Sequence, residues 1–207
     1  MVIAIDGPAG AGKSTVARAV AARLAFTYLD TGAMYRCVGL AVGGDAEHAG
    51  EIAERTRIEL GERVLLDGRD VTEAIRTAEA SEAASHVAAD PAVRAALVRK
   101  QQAIVAAGDW VVEGRDIGTA VAPEAAVKVF LTASPEERAR RRAADLGLPI
   151  DEVLDAQRER DRRDHGGDRS TLEPPKDAVP VDTTGLTLDE VVDQIVTLAV
   201  EAKELRA

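Results

Sequence analysis

The chain has 207 residues, 46% of them hydrophobic and 30% charged, with a formal net charge of −10. That length suits one domain with a real core, and the acidic total argues against a general nucleic-acid or anionic-membrane binder, whose affinity comes from a basic surface. A local basic pocket is still allowed, because nine arginines fall between Arg138 and Arg169.

Aromatics are only 2%, so the core must be built from Ala, Val, Leu and Ile. The single cysteine, Cys37, forbids an intramolecular disulfide and reads as packing. The start MVIAIDGPAG is too quickly acidic for a secretory segment, and no apolar run reaches membrane length. The chain therefore reads as cytoplasmic, with no nucleic-acid or membrane partner. His48, His86 and His165 are too widely separated to form a metal-ligand pattern with Cys37.

VIAI at 2–5 is a buried-strand candidate, and 13–25 carries apolar residues at helical spacing (Val16, Val20, Leu24). Residues 33–42 read as a helix. RIELGERVLLDG at 57–68 reads as a hairpin around Gly61-Glu62. Helices are expected near 72–89 and 91–107, separated at Asp90-Pro91. WVVEG (110–114) and VKVFL (127–131) are apolar, β-branched runs and so buried strands. Ser134-Pro135-Glu136-Glu137 is a capping signature that opens a helix to about Leu146. Gly147 and Pro149 break it, and a second helix runs from about 150 to 164. VPVD (179–182) is a last strand, and Thr187 opens the terminal helix. Strands alternating with helices, and apolar on both faces, predict an α/β fold with a parallel sheet flanked by helices, and the G-x-x-x-x-G-K-[ST] stretch at 7–14 makes it P-loop NTPase-type. The expected layout is one unit with a core over about 1–50, 108–133 and 170–207. An insertion spans about 51–107 and a helical lid about 134–169.

GPAGAGKS at 7–14 fits G-x-x-x-x-G-K-[ST] between a predicted strand and a predicted helix. Glycines let the backbone curl so that several N–H groups face one anion, and the helix N-terminus adds favourable potential. Gly7, Pro8, Ala9, Gly10, Ala11, Gly12, Lys13, Ser14 and Thr15 are therefore the expected ATP-binding residues. Lys13 reaches the β and γ phosphates, and Ser14 is the candidate ligand for Mg²⁺. Asp6, just before the loop, is a candidate loop-stabilising acceptor. A regulatory GTPase is disfavoured. The chain contains no asparagine, so it lacks an Asn-Lys-x-Asp element, and its D-x-x-G match at 182–185 comes too late and reads as a turn.

YLDTGAMYR (28–36) and VVEGRDIGTAV (111–121) each put charge at a strand's carboxyl end, where ligands bind in open α/β sheets. GPAGAGKST, YLDTGAMYR and EGRDIGTAV, in this order, resemble the bacterial cytidylate kinases. The likeness runs on through VLLDGRDVTEAIRT, VKVFLTASPEERARRR, ERDRRD and VPVDTTGLTLDEVV. It implies a (d)CMP kinase: transfer of the ATP γ-phosphate to CMP or dCMP, with Mg²⁺; a monomer is expected. Another P-loop kinase acting on UMP, AMP or a small molecule is the alternative, and a non-catalytic nucleotide-binding module a more distant one.

The resemblance further implies an acceptor site matching Thr31, Tyr35, Arg36, Ser85, Arg94, Arg115, Asp116, Arg160, Asp164 and Arg169. Within it, Ser85, Arg94 and Asp116 fall to cytosine, Arg36, Arg115 and Arg169 to the acceptor phosphate, and Arg160 and Asp164 to the ribose. Lys13, Arg36, Arg115 and Arg169 are the implied catalytic set. Arg138, Arg141 and Arg142 are lid candidates. Two features depart from the family pattern: a shorter lid between Arg142 and Arg160, and HGGD between ERDRRD and Arg169.

Overall fold

The most apolar strand sits at the centre of the sheet. In a computed structural model, which describes residues 1–165 and 172–205 except the side chains of 145, 146 and 159–165, Val2–Asp6 forms β1. Its Ile3, Ala4 and Ile5 have no exposed surface. Trp110–Gly114 (β6) and Val127–Thr132 (β7) lie parallel on either side, with Glu113 and Val129 both opposite Ile5. Val179–Asp182 (β8) pairs parallel to β7, and Thr27–Asp30 (β2) completes a five-stranded sheet ordered β2-β6-β1-β7-β8. Pro180 fits β8 because an edge strand does not need every N–H for pairing. The strands at 110–114 and 179–182 match the sequence reading residue for residue.

By contact the chain divides into two compact units, Met1–Tyr28 with Gly108–Ala207, and Leu29–Ala107. In the first, helices Lys13–Leu24 (α1) and Leu188–Glu204 (α8) bury Val16, Val20, Val191 and Ile195 in one cluster with Ile3, Ile5, Val129 and Leu131. Thr187 and Glu190 form a reciprocal capping box at the start of α8. Ser134 caps Pro135–Leu146 (α6) by accepting from the Glu137 N–H, as SPEE predicted. Gly147, at φ 67°, ends that helix. Ile150–His165 (α7) packs back on α6 through Ala139, Ala143 and Val153.

The second unit, which contains the expected 51–107 insertion, corrects the sequence reading in three places. The hairpin around Gly61-Glu62 is present as Ile58–Leu60 (β3) and Val64–Leu66 (β4), but a third strand, Arg69–Asp70 (β5), extends it to a three-stranded antiparallel sheet. Asp67 (φ 50°) and Gly68 (φ 82°) make the second reversal, a dipeptide suited to a tight hairpin turn. The helix expected near 72–89 is a 3₁₀ turn, Ala74–Arg76, and then Ala78–Val87 (α4). Thr77 is extended and its side chain accepts from the Ala80 N–H, so it starts a new helix. A helix at Ala49–Arg55 (α3) was not anticipated, because seven residues carry little periodicity. Its end is held by Lys100 on Pro91–Val105 (α5), whose Nζ donates to the carbonyls of Glu54 (2.9 Å) and Thr56 (2.7 Å). No helix among the described residues is long and apolar enough to cross a membrane.

Thr31–Val42 (α2) lies against α4 at Gly39, where a Cβ would stand 3.0 Å from the Ala83 carbonyl carbon and Cβ. Gly39→Val should therefore destabilise the protein by about 1–3 kcal/mol, the usual range for overpacking. Urea unfolding monitored by circular dichroism reads this directly, and an unchanged midpoint would refute the close approach.

Candidate active site

The loop after β1 starts under a steric constraint. Gly7 has φ 147°, and a Cβ there would lie 2.1 Å from the Leu131 carbonyl oxygen on β7. Gly10 (φ 78°) also lies tight against Arg138, with a would-be Cβ 3.0 Å from the Arg138 Cβ and carbonyl oxygen. Gly12, the N-cap of α1, is left-handed at φ 85° and offers no side-chain cap. The first turn of α1 carries no acidic residue, so its N–H groups and positive potential stay available to an anion. Lys13 is buried and donates to the Pro8 carbonyl at 2.8 Å, across the base of the loop. Ser14 is partly exposed and Thr15 exposed on the first turn. A hard divalent cation takes oxygen ligands, and the Ser14 hydroxyl at this helix start fits one.

The carboxyl end of β6 lies beside the loop, with Gly114 opposite Asp6. Arg115 Nη1 donates to the Gly7 carbonyl at 3.3 Å, and Asp116, half-buried, follows directly. Asp6 holds this second segment: its two carboxylate oxygens accept from the N–H groups of Ile117 and Gly118, each at 2.8 Å. Asp6 was expected to stabilise the phosphate loop as an acceptor, but these bonds go to the stretch after Asp116. Burial pushes its pKa up to about 6, against the lowering effect of those two N–H groups; Asp116 raises it a little further and Lys13 lowers it. Tyr28, under the Arg18 guanidinium at 5.1 Å, donates its hydroxyl to the buried Glu113 of β6.

The arginines of α6 divide their work. Arg138 is buried, with Nη1 donating to the Ala9 carbonyl (3.1 Å) and Nε to the Ala133 carbonyl (3.2 Å). Arg141 donates to the Thr183 hydroxyl (2.9 Å) and carbonyl (3.0 Å) and to Glu137 (2.8 Å). Its Nη1 lies 3.5 Å from where a Cβ of Gly12 would stand. Arg142 is partly exposed. Arg140 and then Arg141 hold the Glu137 pKa down to about 2.

In the second unit, Asp30 caps α2 by accepting from the Ala33 N–H at 2.8 Å and pairs with Arg36 Nη2 at 2.9 Å. Gly32 makes room for that pair: a Cβ would stand 3.1 Å from Arg36 Nη1 and 3.2 Å from Asp30 Oδ1. Thr31 is buried, and Tyr35 is partly exposed on the same helix. Ser85 on α4 and Arg94 on α5 are both partly exposed. Cys37 is fully buried, and burial raises its thiol pKa to about 11, as packing requires. Arg160 and Asp164 fall on α7, but their side chains lie outside the described residues, and so does Arg169 altogether. The sequence reading assigns no role to Asp30 or Gly32, although Asp30 three residues before Ala33 is a helix-cap signal.

A glycine loop curled around a buried lysine, between the central strand of a parallel sheet and an uncapped helix, defines a P-loop nucleotide-binding protein. Solved structures share this fold. A gluconokinase from Sinorhizobium meliloti 1021 does so at TM-score 0.54 and 20% identity, over 99% of this chain and 95% of that one. A shikimate kinase from Acinetobacter baumannii does so at TM-score 0.50 and 16% identity, over 98% and 94%. The family model for cytidylate kinase matches residues 3–201. Cytidylate kinases of Carboxydothermus hydrogenoformans and Desulfitobacterium hafniense are 48% and 49% identical, over 96% and 95% of this chain and 96% and 91% of theirs. The chain belongs to the cytidylate kinase family. A bifunctional pantoate ligase/cytidylate kinase from a Synechococcus strain is 48% identical over 95% of this chain, which covers 40% of that protein.

Asp6 has a definite stability signature. Its folded pKa (about 6) lies above the ordinary value of 3.8, so its contribution is fully present below about pH 4 and lost as pH rises through 6. The loss should be on the order of 3 kcal/mol. Urea unfolding of the wild type and Asp6→Asn from pH 4 to 7 should show the wild type losing ground to the variant as pH rises; parallel curves would contradict it.

Proposed function

We propose that the chain transfers the γ-phosphate of ATP to CMP or dCMP, giving ADP and CDP or dCDP, and acts as a monomer. The observation that carries the reading is the phosphate loop with its buried Lys13, lying beside the Arg115–Asp116 segment at one sheet edge in a chain of this family. Gly7 to Thr15 bind ATP, and Lys13 neutralises its phosphates. When bound with ATP, Mg²⁺ supplies further charge neutralisation, and Ser14 is the residue that would hold it.

The acceptor set draws on Thr31, Tyr35, Arg36, Ser85, Arg94, Arg115, Asp116, Arg160, Asp164 and Arg169. Cytosine offers an exocyclic amino donor that the Asp116 carboxylate can accept, while Arg94 and Ser85 can serve its O2 and N3. Arg36, Arg115 and Arg169 suit the acceptor phosphate, because a planar guanidinium matches its oxygens in pairs. Arg160 and Asp164 suit the ribose. Among the α6 arginines, Arg141 stands nearest the start of α1 and is the one to face the ATP phosphates. Arg138 supports the loop through Ala9.

No general base is required. The acceptor phosphate has a second pKa of about 6, so it is already a dianion and a nucleophile at neutral pH. The obstacle is repulsion between two polyanions and their in-line alignment. Catalysis is therefore positioning and cationic stabilisation by Lys13, Arg36 and Arg115.

A coupled assay across CMP, dCMP, UMP, AMP and dTMP should show CMP and dCMP as the best acceptors. Negligible CMP turnover beside a strong rival would overturn the reading, and binding of Mg-ATP and CMP without turnover would favour a non-catalytic module. Asp116→Ala should cut the CMP-over-UMP ratio of kcat/KM by roughly tenfold or more, since a buried polar partner is left unpaired. An unchanged ratio would remove Asp116 from cytosine recognition.

A further inference from the structure

The last residue of β1 has no part in the chemistry above, yet it touches the backbone that carries two proposed acceptor residues. Asp6 is 1% exposed, and both its oxygens are committed to the N–H groups of Ile117 and Gly118 at 2.8 Å. The next residue, Gly7, takes the Arg115 guanidinium on its carbonyl at 3.3 Å. Residues 115–118 are thus tied at three points to the root of the phosphate loop.

The opposite side of the same stretch is equally close. A Cβ on Gly118 would stand 2.8 Å from Pro175 Cγ, 3.2 Å from Lys128 Cδ and 3.4 Å from Asp6 Oδ2. The charged groups around Asp6 are Asp116, Lys13, Arg115 and Lys128, whose ammonium pairs with Asp177 at 2.8 Å. A buried carboxylate is a costly way to hold a turn that a neutral side chain could hold. It does one thing an amide cannot: both ends accept, so two adjacent N–H groups are fixed at once.

We propose that Asp6 is a positioning residue for the acceptor. It sets the backbone of 115–118 so that Arg115 and Asp116 are presented in one arrangement relative to the root of the phosphate loop. This rests on the assignment of Arg115 and Asp116 to the CMP site. Asp6 itself touches no substrate.

The test uses the full chain, with the folded state of each variant checked by circular dichroism. In Asp6→Asn one end of the side chain becomes a donor facing an N–H. KM for CMP should rise about tenfold or more, while KM for ATP stays within about twofold. Gly118→Ala pushes the same backbone from the other side and should raise KM for CMP in the same way. It decides the matter if Asp6→Asn does not fold. A purely structural role predicts the opposite split: lower thermal stability with both KM values unchanged. Arg115→Ala separates this inference from the assignment beneath it. If Arg115→Ala leaves KM for CMP unchanged, the site assignment fails. If it raises KM for CMP while Gly118→Ala and any folded Asp6→Asn do not, or if KM for ATP rises in step with that for CMP, the positioning role fails. On the Arg115→Ala background, adding Asp6→Asn should raise KM for CMP by less than it does in the wild type, because part of its effect runs through Arg115 and the remainder through Asp116.

Discussion

Gly7 lies so close to the Leu131 carbonyl that no side chain fits between them. The rest of the site follows from this contact. The chain can leave β1 hard against β7 only if residue 7 lacks a Cβ and takes an unusual φ. That departure starts the curl that Gly10 and Gly12 continue, each with positive φ. The curl places Lys13 under the loop and brings α1 in without a capping side chain. A serine or aspartate cap at position 12 would have satisfied the same N–H groups and competed with phosphate for them. The helix start therefore keeps open donors in return for a ligand site.

Positive charge is held in place against an acidic total. Arg138 is buried among carbonyls beneath the loop, and Arg141 is divided between Thr183 and Glu137. Glu137 pairs with both Arg140 and Arg141, which holds its carboxylate ionised down to about pH 2. Partly exposed pairs of this kind add little stability. Their effect is orientation: a long, flexible guanidinium is kept at the edge of the sheet where the strand ends gather.

The sequence made the scaffold readable wherever one residue type has one physical use. Glycines at fixed spacing before a lysine, an apolar run such as WVVEG, and Ser-Pro-Glu-Glu ahead of a helix each admit few structures. The hairpin around Gly61-Glu62 is present as β3 and β4, and Asp67-Gly68 carries a second turn signal of the same quality, for the reversal into β5. The short α3 carries little periodic signal; it buries Ala49, Ile52 and Ala53, and Lys100, far along the chain, holds its end. Asp6 and Asp30 show a different limit. An aspartate at a strand end is consistent with a ligand contact, a cap or a backbone clamp, and only the partner's position decides. Asp6 clamps Ile117 and Gly118, more than a hundred residues away in sequence. No local pattern could announce that. The proposed acceptor residues form a set only through family resemblance, and periodicity alone does not select Ser85 or Arg94.

The cations of the proposed site share one resting condition. Lys13 donates to the Pro8 carbonyl, Arg115 to the Gly7 carbonyl, Arg141 to Thr183 and Glu137, and Arg36 to Asp30. Without such partners, several like charges near one sheet edge or helix face would repel one another and adopt many rotamers. A neutral carbonyl is a weaker acceptor than a phosphate oxygen, by roughly a factor of two per bond. Exchange from carbonyl to phosphate is therefore favourable without first freezing a mobile side chain. Arg36 differs from Lys13 and Arg115 because its resting partner is itself a carboxylate. Phosphate must compete with, or share, an existing ion pair there, so Arg36 gains less from a weakly charged ligand than from a dianion. In the proposed acceptor role, an arginine held this way would select for the charge of the phosphate, while the carbonyl-held cations would respond to any phosphate that reaches them.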